Sequence, residues 1–137
     1  MLNKTKLSNV NIMVLLVLFI IFTAIVLAIV YIAIRINSPT IKSFSIVDYQ
    51  FYIESFPSNE TIGNFSDSKE LLQKVESVWI DIYGKDVISR EKPYQLFYDE
   101  TSAIWLVCGT LHSEMGGVAN ILIEDGTGKI VAVWHDK

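Results

Sequence analysis

The sequence predicts an α+β protein: an N-terminal single transmembrane helix, then a small domain with one helix packed on a curved antiparallel sheet of about four strands. Three observations predict it. Residues 12–34 carry no charge. Residues 67–84 set apolar side chains at helical spacing behind a capping signal. Beyond residue 92 the period changes to alternation, with turn residues between the runs. The length of 137 residues allows one such domain and an appendage, since a domain usually needs about 100 residues. A mean hydropathy of +0.39 excludes a disordered chain.

The apolar run reads VNIMVLLVLFIIFTAIVLAIVYIAI, residues 10–34, with Thr23 its one clearly polar side chain and Tyr31 near its end. At about 1.5 Å per residue its charge-free part spans about 35 Å, enough for a hydrocarbon core of about 30 Å. A cleaved signal peptide has a shorter apolar region and a small-x-small cleavage site. Residues 31–37 (YIAIRIN) show no such site, and the single cysteine, Cys108, lies far from any lipoprotein position. The run is therefore expected to stay as a signal anchor, with the lipid bilayer as partner of residues 10–35. Lys4, Lys6 and the α-amino group flank one end and Arg35 and Lys42 the other. The amino group tips that balance toward a cytoplasmic N-terminus. The expected location is the cell membrane, single-pass, with the C-terminal domain on the outer (periplasmic or extracellular) side. The organisation read is a tail and anchor over 1–36, a linker and strand-like segment over 37–66, and the folded domain over 67–137.

Residues 37–137 hold all 15 acidic residues and 8 of the 11 basic ones, a net charge of −7. That argues against nucleic acid as a partner and against attraction to an anionic membrane surface, and it permits a basic protein partner. Residues 37–43 read as a polar linker. Residues 44–56, rich in β-branched and aromatic side chains, read as a strand, and 57–64 as a loop. Asp67 is a good N-cap, with Glu70 placed for a capping box. Leu71, Leu72, Val75, Val78, Trp79 and Ile82 form one apolar stripe, and Gly84 suits the helix end. Strands are read over 93–98, 103–111, 118–124 and 129–135, with turns at 99–102, 112–117 and 125–128.

Few residues suggest chemistry. His112, Glu114 and His135 sketch a metal or general-base site, but metal sites usually want three or four convergent ligands and this set falls short. The plainer reading leaves both histidines exposed at strand ends. The run Asp125-Gly126-Thr127-Gly128-Lys129 lacks the spacing of a phosphate loop and reads as a hairpin turn. Cys108 lies in an apolar run and reads as a small buried hydrophobe. Tyr49, Phe51, Tyr52 and Phe56 are expected in a core or at the membrane surface. Asn59-Glu60-Thr61 and Asn64-Phe65-Ser66 match the glycosylation pattern, which is short and carries no weight. No catalytic residue, metal ligand or cofactor site is assigned.

The block Trp79-Ile80-Asp81-Ile82-Tyr83-Gly84-Lys85-Asp86-Val87-Ile88, with Glu91-Lys92-Pro93-Tyr94 after it, resembles the "IYGK…KP" signature of bacterial immunity proteins with the nuclear transport factor 2 fold. The run 105–111, with Trp105, Gly109 and Thr110, resembles that family's "W-x-V-x-G-T-L" strand. Gly116-Gly117-Val118 resembles its "GGV" loop, and Gly128-Lys129-Ile130 with His135 its closing "GKI…H" hairpin. The resemblance covers about residues 68–137. It implies a nuclear transport factor 2-like or cystatin-like domain that neutralises a polymorphic toxin by binding it, without catalysis and without cofactor. The cognate toxin is then the protein partner, with no contact residues assigned. The motif positions read as fold-specifying: Trp79 and Ile82 facing the sheet, Pro93 opening the first meander strand, and Gly109 leaving room for Trp79. A PepSY-like peptide-binding or peptidase-regulating module is the alternative, to be favoured by a deep groove along a sheet edge. A small enzyme of the nuclear transport factor 2-like fold would need a cavity with a buried carboxylate.

Overall fold

The computed structural model describes residues 9–36 and 39–137, which fall in two compact units divided after residue 38. Lys4 and Lys6, on which the topology reading leans, and residues 37 and 38 of the expected linker lie outside the described residues.

The first unit is helix α1, Asn9–Ile36. Within it Asn11–Ile34, 24 residues, is long and apolar enough to cross a membrane. Its large apolar side chains, from Ile12 to Tyr31, are exposed. Thr23 Oγ1 donates to the Ile20 carbonyl, one turn back in the same helix, at 2.8 Å.

The second unit is built on a five-stranded sheet in the order β1 (Ile41–Ser43), β2 (Gln95–Asp99), β3 (Ile104–Cys108), β4 (Ala119–Glu124) and β5 (Ile130–His135). The last four form the expected antiparallel meander, with Val107 opposite Leu96 and Ile121. The fifth strand is β1. It pairs parallel to β2, Ile41 against Leu96, inside the stretch read as linker. All three of its side chains are exposed, so no hydrophobic pattern marked it. Backbone pairing alone makes it a strand.

Both faces of the sheet are covered. On one lies α3, Ser68–Tyr83, whose Leu71, Val75 and Trp79 are fully buried against Leu96, Val107, Ile121 and Ile123. Ile82, in the last turn, is 49% exposed, so the expected stripe narrows to its i, i+4, i+8 members. Asp67 caps α3, its Oδ1 accepting from the Glu70 N–H at 2.8 Å. The Glu70 carboxylate reaches back to the N–H and hydroxyl of Ser66, each at 2.8 Å, one residue earlier than a capping box requires. Gly84, at φ 89°, ends α3 and lets the chain start α4, Lys85–Ser89, a helix absent from the sequence reading. Its Ile88 is fully buried.

The other face is covered by residues 44–53, which overturns the strand expected there. Ile46–Tyr49 form a 3-10 turn and α2 runs Gln50–Ser55. Tyr49, Tyr52 and Ile53 pack on Ile104, Leu106, Leu122, Ala132 and Trp134. Their i, i+3, i+4 spacing is helical, and the β-rich composition hid it. The Asp99 carboxylate accepts the Ile46 N–H at 2.9 Å and so holds the start of the turn.

Residues 57–62 then run along the outer edge of β5. Pro57 bridges Ala132 and Thr61 bridges Lys129, and Ile130 N–H donates to the Glu60 carbonyl at 2.9 Å.

Candidate functional site

The polar centre of the domain is Glu91, which follows α4 and entered the sequence reading only as the first residue of the run Glu91-Lys92-Pro93-Tyr94. Only 7% of it is exposed. Its Oε2 accepts the Ala119 N–H at the start of β4, 2.8 Å away. Its Oε1 lies 2.8 Å from His135 Nε2 at the end of β5. Its own carbonyl accepts the Thr110 N–H at 2.7 Å. One residue thus ties the α4–β2 connection to three strand ends. His135 Nδ1 lies 2.6 Å from the Asp136 carbonyl. Both ring nitrogens therefore face oxygens of neighbouring residues. Tyr83 sets its ring edge-on to His135 at 5.3 Å, and burial pushes its phenol pKa up. Asp136 completes the cluster, accepting from Asn120 Nδ2 at 2.9 Å and Trp134 Nε1 at 3.1 Å.

This centre corrects two expectations. His135 is half-buried and paired, not exposed. Gly109 makes room for Glu91, not for Trp79: a Cβ there would strike Glu91 Oε2 and crowd Val118. Trp79 instead packs against Tyr94, ring centroids 5.3 Å apart. Two other motif glycines have equally specific neighbours. A Cβ at Gly117 would fall on the Asp136 carbonyl, and one at Gly128 on the Gly63 carbonyl. The first lets the chain before β4 lie against the C-terminal backbone, where Asp136 N–H donates to the Val118 carbonyl at 3.1 Å. The second lets residues 57–63 close on the β4–β5 turn.

The remaining motif positions are spread around this frame. Trp105 packs its ring on Tyr98 at 4.5 Å and on Phe65 at 6.4 Å. Thr110 donates its hydroxyl to the Pro93 carbonyl. Pro93 follows a cis peptide bond and precedes β2, which starts at Gln95, so it does not open the strand itself. Gly116 has φ 122° in the loop before β4. Lys85 and Lys129 are exposed.

The metal sketch of His112, Glu114 and His135 is not assembled. His112 Nε2 meets the Lys92 carbonyl at 2.6 Å, while His135 belongs to Glu91. Among the described residues no group of three or more His, Cys, Asp or Glu side chains is placed to hold a metal ion. Cys108 packs against the apolar cluster of the second face, and burial pushes its thiol up to about 12, which holds it protonated and unreactive.

An open groove of about 500 Å³ lies between α3 and residues 92–94, lined by Lys69, Leu72, Glu76, Lys92, Pro93 and Tyr94 among others. Lys92 Nζ pairs with Glu76 at 2.6 Å and sits over the Tyr94 ring at 5.7 Å. Burial, with the Glu76 and Glu91 charges behind it, pushes the Tyr94 phenol up to about 12. This groove does not run along a sheet edge, the feature that a peptide-binding module of the PepSY type would favour.

Residues 72–137 match a family described as "NTF2 fold immunity protein". The chain is also similar to "Uncharacterized protein YhhH" of Escherichia coli (strain K12), 32% identical over 80 residues, which is 56% of this chain and 61% of that protein. It therefore spans less than two thirds of the curated relative's length. No solved structure matches the chain. The match begins in α3 and takes in α4 and β2–β5, so it contains Glu91, His135 and every motif glycine described above.

Proposed function

We propose that this chain is a membrane-anchored immunity protein that neutralises a cognate toxin by binding it, one copy to one, with no chemistry of its own. The observation that carries the reading is the match of residues 72–137 to a family of NTF2 fold immunity proteins, a family that implies toxin neutralisation in general. The anchor is supported by the 24-residue apolar span Asn11–Ile34. An outward-facing domain is supported by the balance of flanking charge described above.

The geometry is consistent with a binder. The buried ionisable groups serve the scaffold: Glu91 fastens strand ends, Asp99 holds the turn before α2, and Cys108 is a packed, protonated thiol. An immunity protein needs a rigid surface complementary to its toxin, and stoichiometric binding requires no turnover. The net charge of −7 over residues 37–137 favours a basic toxin surface and speeds encounter with it.

The test is genetic. The gene is deleted in a strain with its neighbouring toxin gene intact and in one with that gene disrupted. Death in the first and growth in the second are the expected results, with rescue by the full chain supplied in trans. Survival of both strains overturns the reading. A reporter fused after Lys137 that is active only outside the cytoplasm then checks the side of the membrane.

A further inference from the structure

We propose that the turn Ile46–Tyr49 and helix α2 dock on the lipid headgroup layer of the bilayer through Val47 and Phe51. The proposal rests on the membrane-anchor reading above. Tyr49, Tyr52 and Ile53 of this stretch are spent on the second face of the sheet. Val47 and Phe51, four residues apart, point away from it and are 71% and 69% exposed. Among the described large apolar side chains of residues 39–137 only Met115, in the loop before β4, is more exposed. A helical stretch apolar on two sides belongs in a core or against lipid. Asp48 and Gln50 lie between these residues in sequence and Glu54 follows them, all three exposed, as polar neighbours of an interfacial side chain must be.

Chain length says what covers the patch. Seven residues lead from Ile34, the end of the apolar span, to Ile41 in β1. Fully extended, they reach at most about 25 Å, whatever the pose of the domain. Val47 and Phe51 follow Ile41 within ten residues, so on an anchored chain this stretch is joined to the span by a short tether. The net charge of −7 gives no attraction to anionic lipid, so insertion of the two side chains is the driving contact, and a zwitterionic bilayer suffices.

The experiment uses the full chain in phosphatidylcholine nanodiscs, with single cysteines introduced by Val47→Cys, Phe51→Cys, Leu27→Cys or Asp81→Cys. Each carries a nitroxide spin label, and collision with oxygen is compared with collision with a water-soluble nickel chelate. The native Cys108, packed and held protonated, leaves the introduced thiols to label selectively. Leu27 lies within the span and reports the anchor. Asp81 is exposed on α3, over the opposite face of the sheet, and is the aqueous reference. The expected result is an oxygen-to-nickel ratio at positions 47 and 51 several-fold above that at 81 and below that at 27. A deep reading at 27 with 47 and 51 indistinguishable from 81 overturns the docking and leaves the anchor standing. An aqueous reading at 27 overturns both.

Discussion

At the scale of single residues, the carboxylate of Glu91 explains more of the domain than any other motif position. It fills the space that Gly109 leaves and caps the first N–H of β4. Removing it by Glu91→Ala strands the Ala119 N–H and frees His135, a loss of about 1–3 kcal/mol in urea unfolding. Gly109→Ala drives a methyl into the same carboxylate and costs about as much. The two changes act on one contact, so the double variant should lose less than the sum of the singles. Strict additivity would mean that Gly109 is kept for another reason. Glu91 stood in the motif run, but its role was illegible in the sequence because its partners stand 28 and 44 residues away, and no local spacing encodes such a pairing. Gly109 was visible, but only the fold shows which neighbour needs the space.

At the scale of elements, legibility followed period. Helix α3 announced itself through Asp67 and a stripe at 3.6-residue spacing, and the meander through alternation and turn glycines. Residues 44–56 misled because aromatic and β-branched side chains suggest a strand, while Tyr49, Tyr52 and Ile53 were already spaced for a helix. Two predictions belong to this element. Tyr52 stacks on Trp134 with centroids 4.5 Å apart, so Tyr52→Ala should cost about 2–3 kcal/mol, whereas exposed Phe51→Ala in detergent should stay within about 0.5 kcal/mol. Chemical denaturation of both variants checks the contrast. The second concerns acid. The Asp99 carboxyl is held below its ordinary value by the N–H of Ile46 first, and by Ser102 and Thr101. A depressed folded-state value stabilises the fold fully above the unfolded value of about 3.9, and that stability is lost as pH falls through the lower folded value. Melting temperature followed from neutrality down to about pH 3 should therefore fall less steeply in Asp99→Asn than in the parent. An unchanged slope would remove Asp99 from the account.

At the scale of the whole molecule, a largely apolar helical span of 24 residues precedes a domain with helices on both faces of its sheet. Composition made the first legible. Among the described residues, the cover of the second face and the parallel strand β1 were not, since both lie outside the run of familiar motifs. An uncleaved anchor predicts that the full-length chain stays in the membrane pellet through alkaline carbonate extraction and is released only by detergent. A shortened, carbonate-soluble product would show instead that the apolar run is a processed leader.

The strap of residues 57–62 has one more consequence. Where copies of a domain crowd together, a bare sheet flank recruits its neighbours into filaments. Here one flank is stitched shut through Pro57 and Thr61. The other is three residues long and carries Lys42 at its middle, too short and too charged to seed such growth. Both flanks of the sheet are therefore closed to strand-on-strand pairing between copies of the domain.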